Sequence, residues 1–292
     1  MIELNKKLYN HIMNYIILRI YFISILIRIK WCKEIEGTSY TSSIKVYSLL
    51  SSKDFIMGFI SIYSFMRNSD LKTDIRIIND GSLTQKQFTL LKLLGVKVLS
   101  DTHSKLINKS LNLYPETSQL YKRFILMKKL IDVRLDGNDD DTIIYLDSDV
   151  LFNKKCQNFD RIVKECASNS NNLIYFNKDI DFSFISSANN IEKAFKINQL
   201  QMINSGLIIM KRNIIDLEKI EEILSNKIFM SWTENRFWVT EQTIYAMLAA
   251  QNGVKCNVLP EIFDVSIPAN LSNEAMHFVG KIRKTYYQGL LC

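Results

Sequence analysis

Punctuation is scarce in this chain. Three prolines and nine glycines are spread over 292 residues, which excludes a low-complexity, collagen-like or linker-rich protein. Cysteine is sparse too. Cys32, Cys156, Cys166, Cys256 and Cys292 are odd in number and widely spaced, with no C-x-x-C pair among them, so the common zinc and dithiol patterns are missing. Such cysteines fit the reduced, mostly buried thiols of a cytosolic protein. Charge of one sign is only mildly in excess, at +7. No Lys/Arg block with interleaved aromatics and no nucleic-acid motif occurs, so no nucleic-acid partner is expected. The moderate positive balance suits anionic ligands or an anionic membrane surface.

A long uninterrupted apolar run is also absent. The nearest approach, Tyr15–Ile29 (YIILRIYFISILIRI), is broken by Arg19 and falls short of the roughly 20 residues a bilayer span needs. Lys30-Trp31-Cys32-Lys33 is not the small-residue cleavage site of a signal peptide. Arg19 and Arg28 fall about half a turn out of phase on a helix, so a clean amphipathic face is not expected. Three readings stay open: an interfacial membrane anchor, a packing helix, or a docking surface for a partner. The apolar density beside Lys6, Lys7, Lys30 and Lys33 favours peripheral attachment at the cytoplasmic face of a membrane. Residues 1–44 are therefore set apart from a main domain over 45–292.

What is present is a regular alternation. Val46–Leu50 reads as a strand, Asp54–Met66 as an apolar helix, and Asp74–Ile78 as a second strand closed by the turn residues Asn79-Asp80-Gly81-Ser82. Thr84–Leu94 reads as a helix stopped by Gly95, with Val96–Leu99 as a third strand. An irregular stretch and a helix over Ser118–Val133 follow. In the second half, Cys156–Cys166, Ile191–Phe195, Asn213–Leu224 and Thr240–Gln251 read as helices, and Leu173–Phe176 and Gly206–Met210 as strands. This order predicts a three-layer α/β/α domain with a mostly parallel central sheet. Ser225–Val239, with Trp232, Phe237 and Trp238, is either ordinary core or the wall of an acceptor pocket.

The densest signal is Thr142–Phe152, TIIYLDSDVLF. An apolar run breaks at Asp147-Ser148-Asp149 and then resumes, as a buried parallel strand does at its carboxyl end. There two carboxylates project into the crevice where open α/β sheets bind ligands. Mg²⁺ or Mn²⁺ commonly takes one or two carboxylates together with phosphate oxygens. The spacing alone is weak, because Asp139-Asp140-Asp141 and Asp179-Ile180-Asp181 repeat it, and a strand-end turn accounts for it equally well. Two other groups could complete a site. Asn204-Ser205-Gly206 is a polar turn before an apolar strand, and His277-Phe278-Val279-Gly280-Lys281-Ile282-Arg283-Lys284 joins an imidazole to a glycine and three cations.

Leu146-Asp147-Ser148-Asp149, Asn204-Ser205-Gly206, Glu241-Gln242 and His277-Phe278-x-Gly280-x-x-Arg283 occur in the order found in glycosyltransferase family 8. The chain resembles that family over about residues 45–285. The resemblance implies a GT-A (nucleotide-diphospho-sugar transferase) fold and retaining transfer from a nucleotide sugar. It implies Asp147, Asp149 and His277 as ligands of Mn²⁺ (or Mg²⁺), with Asp147 also near the ribose. Gly280 and Arg283 match the diphosphate-binding positions, Gln242 the amide near the anomeric carbon, and Arg123 of Tyr121-Lys122-Arg123 an arginine that holds the nucleotide. Asn204 and the Gly206 backbone are candidates for a sugar hydroxyl. Ser51 and Ser52 stand where relatives carry acidic residues that read base and ribose, so uridine is only a default. Glu241 replaces the usual Asp, Arg283 the usual Lys, and Lys284-Thr285 a common Pro-Trp, which marks a divergent member.

The expected activity is metal-dependent hexosyl transfer to an acceptor hydroxyl on a carbohydrate or glycolipid, in the cytoplasm or at the inner face of the membrane, with cell-surface polysaccharide as the product class expected. Asp149 belongs to its catalytic group with Gln242 and Glu241, and Glu241 would be the base of an inverting variant. Two other readings remain. A sugar-nucleotide nucleotidyltransferase would carry a glycine-rich loop after the first strand, which Ser51-Ser52-Lys53-Asp54 does not supply. A non-catalytic carbohydrate-binding protein would not need the whole set of polar groups.

Overall fold

Strand and helix alternate from residue 44 onward, and the alternation sorts the apolar side chains into two buried layers. The structure, a computed structural model, describes residues 2–32, 42–99, 101–169, 173–179, 184–260, 273–279, 283 and 285–290. The first half runs α1 (Ile2–Cys32), β1 (Ile44–Leu50), α2 (Phe55–Asn68), β2 (Asp74–Asn79), α3 (Gln85–Leu93), β3 (Lys97–Val98), α4 (Asp101–Leu111), α5 (Pro115–Arg123), α6 (Lys128–Leu135) and β4 (Thr142–Leu146). The second runs β5 (Val150–Phe152), α7 (Gln157–Ser168), β6 (Leu173–Lys178), α8 (Ala188–Phe195), β7 (Ile203–Lys211), α9 (Leu217–Ser225), α10 (Lys227–Arg236), α11 (Thr240–Gln251), β8 (Lys255–Val258), β9 (Ala275–His277) and α12 (Tyr286–Leu290).

Seven strands form one sheet in the order β3-β2-β1-β4-β7-β6-β8. Every neighbouring pair is parallel except those made by β7, which runs antiparallel to both β4 and β6. β5 and β9 form a separate antiparallel pair. Along β4, Ile144 and Leu146 join the core layer built with α2 and α7, while Ile143 and Tyr145 join the layer built with α6, α9 and α11. Burial of both faces is why this strand reads as a continuous apolar run. The expected three-layer α/β/α architecture with a mostly parallel sheet is observed.

Some local expectations hold and others shift. A capping box at Thr84 and Gln87 starts α3, and Gly95, with a φ of +71°, ends it. The stretch after Leu99 contains α4, whose Ile107 and Leu111 reach the core. The single helix expected over Ser118–Val133 is broken. Phe124 is extended and stacks on Phe237 with ring centroids 5.3 Å apart. Asn204-Ser205-Gly206 lies inside β7 and not in a turn, because Asn204 pairs with Asn177 beyond a bulge in β6. Ser225–Val239 holds α10 and a 3-10 turn in which Phe237 and Trp238 are about half exposed. α1 packs along one side on the domain: Phe22 meets Phe55 and Phe59 of α2 edge-on, and Ile25 is buried. Asn14 Oδ1 accepts from the Tyr287 amide of α12 at 3.2 Å.

Candidate active site

The two aspartates sit where β4 stops, and strand direction decides what meets them. β4 and β7 pair through Leu146 and Leu207, and one step on the Asp147 amide donates to Gly206 O at 2.8 Å. Since β7 is antiparallel, its first residues lie beside the last of β4. Val150 then opens β5 and pairs with His277 of β9, and the Phe278 amide donates to Asp149 O at 2.9 Å. Two short ladders thus bring three distant segments to one point.

Asp147, Asp149 and His277 each offer one ligand atom, and these atoms lie within 4.8 Å of one another. His277 Nε2 is 3.2 Å from Asp149 Oδ1 and 4.0 Å from Asp147 Oδ2. The imidazole is buried, yet neither ring nitrogen has a hydrogen-bond partner of proper geometry. An unsatisfied buried nitrogen beside two carboxylates is a donor set that fits Mn²⁺ or a similar divalent cation. Burial works to lower the His277 pKa, but the Asp149 and Asp147 carboxylates outweigh it and raise it. Burial works to raise Asp149, and the His277, Arg283 and Lys129 charges outweigh it and hold that carboxyl low. Gly206 is required here for clearance: a Cβ at this position would lie 1.9 Å from His277 Cε1.

Around this group the charges do not balance. Lys129 Nζ lies 2.8 Å from Asp147 Oδ1 and 3.4 Å from Glu241 Oε1. Its pKa is raised despite burial, chiefly by Asp147, then by Tyr145 and Glu241. Arg283 donates to Ser148 Oγ at 2.8 Å and reaches Asp149 Oδ2 and Asp54 Oδ1, each at 3.2 Å. Four carboxylates, Asp54, Asp147, Asp149 and Glu241, therefore face two permanent cations among the described residues. The surplus of negative charge is what a divalent ion would balance. A cleft of about 230 Å³ opens over it, lined by Leu49, Asp80, Asp147, Asp149 and Arg283 among others, at the carboxyl ends of β1, β2 and β4.

No family model matches the sequence, and no curated protein matches it. Solved structures do. Mouse xyloside xylosyltransferase 1 in its apo form is similar with a TM-score of 0.52 at 11% identity, over 82% of this chain and 97% of that one. The WbbM bifunctional glycosyltransferase is similar with a TM-score of 0.50 at 13% identity, over 85% of this chain and 47% of that one. This chain has the GT-A fold.

Within the GT-A frame the other expected residues fall into three groups. Those around β7 are drawn together. Asn204 Oδ1 accepts from the Gly206 amide at 3.0 Å. Gln242 Oε1 accepts from the Ser205 amide at 3.0 Å while its Nε2 donates to Asp179 Oδ2 at 2.9 Å, and Glu241 Oε1 accepts from Ser205 Oγ at 2.5 Å. Ser51 and Ser52 stand at the rim: Ser51 Oγ donates to Asp54 Oδ2 at 3.2 Å, and the Ser52 amide donates to Ser82 Oγ at 2.8 Å. Arg123 is not brought to the cleft. Its guanidinium lies over Phe124, 5.0 Å from the ring centroid, and it lines a separate depression with Ser118 and Lys122. Gly280 lies outside the described residues.

Two residues of the site were not singled out from sequence as site members. Asp54 reads as an ordinary helix start, yet its carboxylate caps nothing in α2 and turns to Arg283. Lys129 had one usable signal, a lysine on the inward side of α6 next to Leu130 and Ile131. The break at Phe124 gives α6 its own register, and that puts Lys129 under the site.

Proposed function

We propose that this protein is a metal-dependent glycosyltransferase of the family 8 type. It moves a hexosyl unit from a nucleoside-diphosphate sugar, a UDP-sugar by default, to a hydroxyl of a carbohydrate or glycolipid acceptor. The observation that carries the reading is the convergence of Asp147, Asp149 and His277 at the end of β4, beside Arg283, in a GT-A fold. Those three residues would hold Mn²⁺ (or Mg²⁺), which when bound supplies Lewis acidity toward the diphosphate. Arg283 is available to stabilise charge on the departing diphosphate, and Asp54 and Ser148 fix its guanidinium. Lys129 locks the Asp147 carboxylate in place. The Gln242 amide, held between Ser205 and Asp179, is the group assigned to the face of the sugar opposite the leaving group. Glu241 is buried, ion-paired and hydrogen-bonded, a poor environment for a base that must take a proton from an acceptor, and this favours retention over inversion. The reaction belongs in the cytoplasm, where its free thiols Cys156, Cys166 and Cys256 stay reduced, and cell-surface polysaccharide is the product class that fits it.

The test is a panel of UDP- and GDP-sugars incubated with the purified chain and Mn²⁺, with released nucleotide identified. Nucleoside diphosphate released by the wild type and not by Asp149→Ala is the expected result. Nucleoside monophosphate, or consumption of UTP, would make it a nucleotidyltransferase. No turnover of any donor, with sugar binding intact, would make it a carbohydrate-binding protein. Product NMR reads the anomeric configuration.

A further inference from the structure

We propose that α1 seats the protein on an anionic lipid surface through a stripe of isoleucines that the fold leaves bare. Ile12, Ile16, Ile20, Ile23 and Ile27 recur at steps of four, four, three and four, so they share one face of the helix. All five are solvent-exposed, from 45% at Ile16 to 63% at Ile20. The other side of the same helix carries Leu18, Phe22, Ile25 and Ile29 and packs on the domain. The helix therefore has two apolar faces, one used and one open. Exposed apolar surface arranged in a continuous line marks an interaction site.

The occupant follows from charge. Ile12–Lys30 contains Arg19, Arg28 and Lys30 and no acidic residue. Lys30 continues the line of the stripe one turn beyond Ile27, and Arg19 flanks it, its guanidinium 4.3 Å from the Tyr15 ring centroid. Isoleucines bordered by cations on long stems, with an aromatic beside them, fit the boundary between acyl chains and anionic headgroups. Length and composition alone would let Ile12–Lys30 cross a membrane. With Phe22 wedged against Phe55 and Phe59 and Ile25 buried, the docked helix can offer only its outer face, so it lies on the bilayer and does not traverse it.

The test uses the full chain and sedimentation with phosphatidylcholine vesicles, with or without phosphatidylglycerol, and is independent of any transferase activity. Binding is expected only with phosphatidylglycerol and weakens as salt is raised. The I20E/I23E double variant should bind on the order of tenfold more weakly or worse, and Arg19→Gln or Arg28→Gln about fivefold more weakly each. These positions are exposed, so the thermal midpoint should stay unchanged. Should the double variant fail to fold, the wild-type comparison of the two vesicles still decides. Equal binding to both vesicle types, or to neither, overturns the proposal. So does retention through an alkaline wash, which means a span. A wild-type dimer by light scattering that I20E/I23E converts to monomer also overturns it, because a second copy then covers the stripe.

Discussion

Charge gathers at both ends of the central sheet, and the two gatherings differ in their balance and in how open they are to solvent. At the end where β2 and β4 begin and β7 finishes, Lys45 and Arg76 meet Asp74, Arg76 also meets Asp136, and Arg212 meets Asp141. Tyr47 joins the halves, donating to Asp136 Oδ2 and accepting from Arg212 Nη2. Among the described residues three cations face three carboxylates here, and His103, whose pKa burial lowers, stands 3.7 Å from Asp136 without adding to the balance. At the opposite end, among the described residues, four carboxylates face two permanent cations, and both nitrogens of the His277 imidazole between two of those carboxylates are unsatisfied. Burial of charge therefore does not by itself mark a functional site. Imbalance does, because uncompensated buried charge is costly unless a ligand completes it.

That contrast can be broken experimentally. Asp149→Ala should remove donor turnover by at least about a thousandfold while lowering the thermal midpoint only modestly, through the lost pairs to His277 and Arg283 that hold its carboxyl low; nucleotide-release assays and thermal melts check the two halves. Arg212→Ala should do the reverse. Breaking a fully buried pair costs about 3–5 kcal/mol of stability, read from urea unfolding, with turnover per folded molecule unaffected. If Arg212→Ala abolished nucleotide release by the folded protein, the proposed division between a structural and a functional end would be wrong.

The helix that joins the ends supplies a pH test. α6 runs from Lys129 at the site toward Asp136, with Asp132 between them. Burial raises the Asp132 carboxyl to about 6 from an ordinary 3.8, against the opposing pull of Lys128 and the Tyr121 hydrogen bond. Between those values the folded chain keeps a proton that the unfolded chain has lost. Stability from this group is thus fullest below pH 4 and is lost as pH rises through 6. Asp132→Asn should match wild type near pH 4 and exceed it above pH 7 by at most about 3 kcal/mol; urea midpoints across that range would show it, and a pH-independent difference would refute it. The smallest expected effect is at Gly206. Alanine there collides with His277 and should weaken Mn²⁺ binding about tenfold, measured calorimetrically, with β7 intact.

Much of this was legible along the chain. The apolar run into Asp147 and Asp149 placed β4 and its carboxylates, because a strand buried on both faces has no polar alternation. Gly95 and Thr84 marked the ends of α3 through local backbone chemistry. α1 was harder: its arginines obscure the periodicity, and only its docking on α2 and α12 separates an inner face from an outer one. Lys129 escaped notice because the break that sets its register is made by Phe124 stacking on Phe237, a contact across more than a hundred residues. Arg123, matched by motif, lies over Phe124 and lines a depression apart from the cleft.

By itself the sequence determined the alternation of strands and helices, the carboxylate pair at the end of one strand, and the stock of imidazole, amide and guanidinium available to it. Those are properties of short segments, set by burial and backbone preference within a few residues. Only tertiary structure decided which of them meet. Reversal of β7 carries Gly206 to Asp147, and the β5–β9 ladder carries His277 to Asp149. A strand's direction and partner depend on the closure of the whole sheet, and no local pattern encodes that.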